Sequence, residues 1–296
     1  MNLRTKATRL DPRYALAYAQ LSRAWAQIAA EFPGGSAAQQ AYGRARSAAN
    51  TALRLDPDLA AAYDALGFVL LNADLDWNGA LIEARRAAKL APNAGTESFL
   101  GQALAALGQL RQAVSSSRQR LVIDPLSVGE YESLSRYLAA LGRLDGAEAA
   151  IRKAIELAPG ASRLHVSLMT IAIRRGDAAA ARAAARHEPS AGGWRNIAMA
   201  LALQIGPDRE AANTALRKLI DEEAGDSAYQ VAEVYALRHD PDAMFKWLDR
   251  AWANRDPGIR HLLSDPFILR YKNDQRFLAF CNKVGLPTTT DAVAMK

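Results

Sequence analysis

The chain has 296 residues, half of them apolar, so it can bury a continuous core and is not a disordered polymer. Its formal charge of +6 and pI of about 9.5 favour acidic partners at long range, but Lys and Arg are scattered, in clusters no longer than Arg85-Arg86 or Arg174-Arg175. Without aromatic residues interleaved among them, that pattern argues against nucleic-acid binding.

Cys281 is the one cysteine, which excludes an internal disulfide framework and a cysteine-based metal site. No run approaches the roughly 18 apolar residues of a membrane span, and the opening MNLRTKATRLD lacks the apolar stretch of an export sequence. As written the chain is expected to be cytoplasmic without membrane insertion, or periplasmic if carried by a longer membrane-anchored protein.

In chain order, helical runs rich in alanine end on Pro12, Pro57, Pro92, Pro125 and Pro159, which lie 45, 35, 33 and 34 residues apart. A proline cannot donate to the helical ladder and biases its predecessor out of the α region, so each marks a helix end. The period is therefore about 34 residues, with an insertion near 31–41 in the first unit. Around Phe32 to Ser36 this insertion is expected to form a loop between two helices. Residues 1–12 read as the truncated second helix of a preceding unit, because Ala7 precedes Pro12 as Ala52, Ala87 and Ala154 precede their prolines.

Each unit predicts a first helix, a turn and a second helix. First helices carry Tyr18/Leu21/Trp25, Tyr63/Leu66-Gly67/Leu70, Leu100-Gly101/Leu104 and Tyr131/Leu134/Leu138, with Ser22, Gly67, Gly101 or Ser135 after the leucine. A small residue there lets two helices approach closely. Second helices carry Ala45/Ala49/Ala52, Ala80/Ala84/Ala87 and Ala147/Ile151/Ala154, one helical face and so the seam between units. Gly108, Gly142 and Gly176 fall in the turns, where glycine suits a helix C-terminus. The fifth to seventh units are fainter, starting at His165/Leu168/Ala172, Trp194/Ile197-Ala198/Leu201 and Val231-Ala232/Tyr235.

About seven units thus span 13–257. Residues 258–286 leave the repeat and supply apolar residues for a C-terminal helical cap, and 287–296, PTTTDAVAMK, are expected to be a flexible tail. The fold class is all-α: a right-handed α-solenoid of helix-turn-helix units with that cap.

On these registered motifs, residues 13 to 256 resemble tetratricopeptide repeats. YALAYAQL (14–21), DLDWNGA (74–80) and SDPFILRYKNDQRFLAF (264–280) with the following GLP resemble, more narrowly, the C-terminal repeat regions of bacterial multidomain signalling proteins. In those relatives the repeats follow an adenylate-cyclase, kinase or winged-helix regulator domain. The resemblance implies a protein-interaction scaffold or sensor, with the noncatalytic region of a larger cyclase, kinase or regulator as the alternative. The Lys and Asn set of the chaperone-tail clamp found in some relatives is not assembled here.

No phosphate loop, GxGxxG, HExxH or GxSxG occurs, and the four histidines are far apart in sequence, so no enzyme activity, cofactor or metal is expected. His165, Cys281, Trp77, Trp247 and Trp252 read as packing residues and Asp221-Glu222-Glu223 as a solvated helix end. A protein or peptide partner would enter the concave face lined by first helices. The candidate groove residues are Arg23, Phe68, Gln102, Arg136, Arg163, Arg174, Arg195, Asn196 and Met199, with Gln27, Asp64, Asn72, Glu132, Thr170 and Glu233 also facing the groove. Their arginines favour an acidic segment. Oligomeric state is left open by the sequence.

Overall fold

A computed structural model describes residues 2–29, 35–190, 193–223, 225, 227–293 and 295. Among them every regular element is helical: α1 (Asn2–Leu10), α2 (Ala15–Ala29), α3 (Gly35–Leu55), α4 (Ala60–Val69), α5 (Trp77–Leu90), α6 (Ala94–Ala106), α7 (Leu110–Ile123) and α8 (Val128–Ala140). The second half continues with α9 (Leu144–Leu157), α10 (Leu164–Arg174), α11 (Ala178–His187), α12 (Gly193–Ala202), α13 (Arg209–Glu223), α14 (Ala228–Leu237), α15 (Pro241–Ala253) and α16 (Gln275–Val284). Helices α2 to α15 pack as seven successive hairpins, and each hairpin stacks on the next to give an α-solenoid.

The alanine face of the second helices makes this stacking possible. Ala45, Ala49, Ala52, Ala80, Ala84, Ala87, Ala147, Ile151 and Ala154 are all fully buried. Small residues on the first helices serve the packing within and between hairpins. A Cβ added at Gly67 would stand 2.5 Å from the Phe99 ring, and the Ser135 hydroxyl donates to the Ala147 carbonyl at 2.8 Å.

Turn chemistry repeats as well. After α6, α8 and α10 the chain turns left-handed at Gly108, Gly142 and Gly176, with φ of 73°, 77° and 74°. The following amides return to Leu104, Leu138 and Ala172 carbonyls at 2.9 to 3.0 Å, closing the last turn of each helix. After α14 the same turn is built on His239, φ 60°, and Asp240 returns to Tyr235 at 3.1 Å. The hydrogen-bond pattern dictates that conformation whether or not glycine occupies it.

Three features differ from the sequence expectation. In the inserted stretch, residues 30–34 lie outside the described residues, but 35–41 continue α3, which reaches 21 residues. That part of the extra length extends a helix rather than a loop, since GSAAQQAYGRA is alanine-rich and free of proline.

The tail is not loose. Asp291 and Val293 amides donate to the Gly108 and Ala140 carbonyls at 3.0 and 2.8 Å, Met295 donates to Pro266 at 3.1 Å, and Ala292 is buried. The segment uses turn carbonyls that the ends of α6 and α8 leave without helical donors.

Finally, the cap does more than cover the last hairpin. While α16 packs on α15, the turn at 257–261 crosses the concave face to meet the second and third hairpins, and 268–271 pack on α14. Leu262, Leu263, Phe267, Ile268 and Leu269 are buried there. Trp77 donates its indole N–H to the Val284 carbonyl at 2.7 Å, joining residues 207 apart in sequence.

Candidate functional site: a chamber on the concave face

The inward turn converts an open groove into a chamber of about 870 Å3, lined by the first helices α8, α10, α12 and α14, by α3 and residues 72–74, and by residues 254–267. This volume falls in the roughly 300–1,000 Å3 range of ligand pockets. Its two ends have opposite charge.

At the cationic end, Arg136 of α8 and Arg260 of the turn Pro257–His261 converge on His261. Arg260 Nε donates to His261 Nε2 at 3.1 Å, and Arg136 Nη1 lies 3.4 Å from the same nitrogen. An imidazole nitrogen facing two guanidiniums must be the unprotonated one. Accordingly burial, then the charges of Arg136, Arg260 and Arg163, hold His261 well below its usual pKa. Burial, followed by repulsion from Arg136 and Arg163, lowers Arg260 to about 10. Arg163 is neutralised by Glu132 at 3.0 Å and lies over the Trp194 ring at 5.2 Å.

At the acidic end, the Asp265 carboxylate accepts from the Tyr229 hydroxyl at 2.9 Å and from the Phe267 and Ile268 amides at 2.8 and 3.2 Å. It also shares a hydrogen bond with Glu233. Two carboxyl groups in hydrogen-bond contact need a proton between them, and burial plus the neighbouring charge raise Glu233 well above the usual range. Asp256 braces this end, accepting from Tyr229 N at 2.9 Å and Gly258 N at 2.8 Å.

The retained proton sets a pH dependence. A carboxyl whose folded pKa is raised contributes stability fully present below its unfolded value and lost as pH rises through the folded value. Glu233→Gln keeps a hydrogen-bond donor for Asp265 without the second charge. Its melting temperature is expected to exceed the wild type's by a margin that grows from pH 5 to pH 8. His261 titrates in the opposite sense, losing its contribution as pH falls below the imidazole range, and cancels from the comparison. An equal margin at both pH values would show that the pair holds no proton.

Of the candidate residues, Arg136 and Arg163 line the chamber, together with Asn72, Glu132, Thr170 and Glu233. The others are placed elsewhere. Arg23 pairs with Asp64 at 3.5 Å and lies over Phe68 at 4.4 Å, so both belong to the packing of the first two hairpins. Arg174 is turned to the tail, donating to the Ala139 carbonyl and to Val293 O at 3.3 Å. Arg195 closes its own loop on Glu188 O at 2.8 Å, and Asn196 donates to Glu222 at 3.1 Å. Gln102 and Met199 are half-buried outside the chamber wall.

Arg260 and His261 were missed because they lie beyond the repeat register. Their one trace in the sequence is a pair of basic residues interrupting the apolar cap in GIRHLLSDPF. Trp77 and Cys281 are packing residues as read: Trp77 is 2% exposed, and burial pushes the Cys281 thiol to about 11. Half-buried Trp247 and Trp252 lie beneath Arg250 and Arg255.

A family model described as tetratricopeptide repeat matches residues 131–160, which cover most of the fourth hairpin and the turn after it. Similar solved structures include a chain of the APC/C hetero-tetramer Cut9-Hcn1 (16% identity, 91% of this chain and 51% of that one, TM-score 0.60). A tetratricopeptide repeat protein from Parabacteroides merdae is also similar (13% identity, 83% and 99%, TM-score 0.58). So is PilW, a type IV pilus biogenesis factor (16% identity, 73% and 98%, TM-score 0.57). No curated protein matches the chain. The hairpin stacking and the repeat match together define an α-solenoid. It is built of helical hairpins, one of which matches the tetratricopeptide repeat. Among the described residues no helix is long and apolar enough to cross a membrane.

Proposed function

We propose that this chain is a noncatalytic recognition module that takes a short acidic segment of a partner protein into the chamber. The observation carrying this reading is that the inner face stays open over about 870 Å3 after the cap has folded across it, with Arg136 and Arg163 on its wall. Assembly with other proteins is a use of this fold in the structurally similar Cut9-Hcn1 hetero-tetramer. The test is partner capture by the full chain and by Arg136→Glu with Arg163→Glu, both checked for helicity. Captured protein should fall by at least about tenfold in the variant, because the contact to Arg136 becomes repulsive and Arg163→Glu leaves two carboxylates, with Glu132, on the same wall. Equal capture by both would reject the chamber as the recognition surface.

The resemblance of DLDWNGA and SDPFILRYKNDQRFLAF to repeat regions of bacterial signalling proteins supports a finer reading. In it, the module is the noncatalytic part of a larger cyclase, kinase or transcriptional regulator and its bound partner sets that protein's output. Both segments build the chamber's support: Trp77 holds Val284, and Asp265 forms the acidic end.

A further inference from the structure

We propose that Arg136 and Arg260, with His261 between them, form a seat for the oxyanion head-group of a ligand, a phosphate monoester or a carboxylate, at the junction of the repeat face and the cap. The inference deepens the proposed function by naming the chemistry recognised in that chamber, and it rests on the chamber being the recognition site.

Several arginines elsewhere are matched by acids, Arg46 by Asp74, Arg163 by Glu132, Arg175 by Glu148 and Asp145, Arg276 by Asp274 and Asp242, while Arg174 and Arg195 are held by backbone carbonyls. Arg136 and Arg260 are different. Among the described residues neither touches a carboxylate. Their polar partners are His261 and, for Arg260, the side-chain oxygen of Asn72. Arg136 Nε is buried without any acceptor.

A single imidazole lone pair cannot satisfy two guanidinium forks, which present ten N–H donors between them. Positive charge drawn together in a half-buried wall is unfavourable unless an anion joins it. The repulsion is visible at Arg260, whose pKa is lowered by burial and then by its cationic neighbours.

The surroundings fit an oxyanion better than a metal or an apolar group. The unused donor belongs to a guanidinium, whose planar fork is the geometry that recognises carboxylate and phosphate. His261, held neutral, accepts from the guanidiniums, orients them and adds no competing negative charge. Tyr42, close enough to feel the charge of Arg260, also lines this part of the chamber. The Glu233–Asp265 pair at the other end repels the same head-group, which gives the ligand one orientation.

The repeats alone could not make this seat. Arg136 comes from the fourth hairpin, whereas Arg260 and His261 come from the cap, more than 120 residues later. An anion binding here would therefore also tie the cap to the solenoid.

The test is calorimetric titration of the full chain with inorganic phosphate and with two short peptides that differ only in a C-terminal carboxylate or carboxamide. At least one of phosphate and the carboxylate peptide is expected to bind, weakening as salt rises. Affinity should fall at least about tenfold in Arg136→Gln and Arg260→Gln, since charge-assisted hydrogen bonds contribute roughly 1.5–3 kcal/mol each. Arg136→Lys, which keeps charge without the fork, should fall between.

Phosphate binding with both peptides silent supports the seat and counts against the peptide reading. Binding of the carboxylate peptide alone supports both and identifies the carboxylate as the source. Equal binding of the two peptides, with phosphate silent, overturns the seat while leaving peptide recognition standing. Silence of all three probes on the folded wild-type chain overturns the seat, irrespective of how the variants fold.

Discussion

Trp77→Ala should lower the unfolding free energy by about 3–5 kcal/mol, the range for removing a large buried aromatic side chain. The residue is 2% exposed and sits in the main core at the first turn of α5. Its indole N–H is also the donor for Val284 O, so truncation leaves a buried carbonyl without that partner. Trp77→Phe separates the two contributions, because it keeps most of the volume and loses the donor. That variant should lose only about 1–3 kcal/mol. Urea unfolding followed by circular dichroism measures both.

The position matters because repeat arrays ordinarily communicate only between neighbours, so that a core mutation loosens its own hairpin and the adjacent ones. Here the second hairpin holds the end of α16. Amide exchange in Trp77→Ala should therefore rise at 275–286 as well as in α4 and α5. Loss of protection confined to the second hairpin and its neighbours would mean that the ring does not bind the two ends of the chain together.

Gly108→Ala is the second substitution with a large expected effect, and Gly176→Ala is its control. Both glycines close a first helix with φ near 75°, where a Cβ is disfavoured by roughly 1–2 kcal/mol. They differ in what lies beyond. Nothing stands within 4 Å of a Cβ at residue 176, whereas at residue 108 it would meet Thr290 Cβ and Oγ1 at 2.8 Å and Thr290 Cα at 3.1 Å. The tail's own backbone blocks the space, so overpacking adds about 1–3 kcal/mol or displaces the tail.

Exchange of the Asp291 and Val293 amides, bonded to Gly108 O and Ala140 O, reports which occurs. Those amides should lose protection in Gly108→Ala and keep it in Gly176→Ala. Identical protection in the two variants would mean that the tail does not depend on this contact. Released, the tail would also deprive Arg174 of Val293 O and leave it only the Ala139 carbonyl of its two acceptors.

Most of the architecture was legible because it is local and periodic. Proline stops, the glycine turns and the alanine seams are decided within one unit of about 34 residues, and each reappears in the structure where the register places it. Where the register was misleading, a different local rule prevailed. Residues 35–41 joined α3 because their composition favours helix, and His239 adopted the left-handed turn because the hydrogen bonds of that turn demanded it.

The lining of the chamber was legible only in part. Arg136, Arg163, Thr170 and Glu233 follow from counting along first helices, since a helix of known register has a known inner face. Arg174 has that register too, yet the last turn of α10 placed it within reach of Val293, whose carbonyl accepts from its guanidinium.

By itself, then, the sequence determined the α-solenoid and its helix pairs, because these depend on residues a few positions apart. Only the tertiary structure decided that the groove is a chamber with oppositely charged ends. That result needs Arg260, His261 and Asp265 to return across the concave face to residues far earlier in the chain. No periodicity encodes such a return. It follows from burying the apolar side chains around them, Leu262, Leu263, Phe267 and Ile268, in the space that the curved array leaves inside.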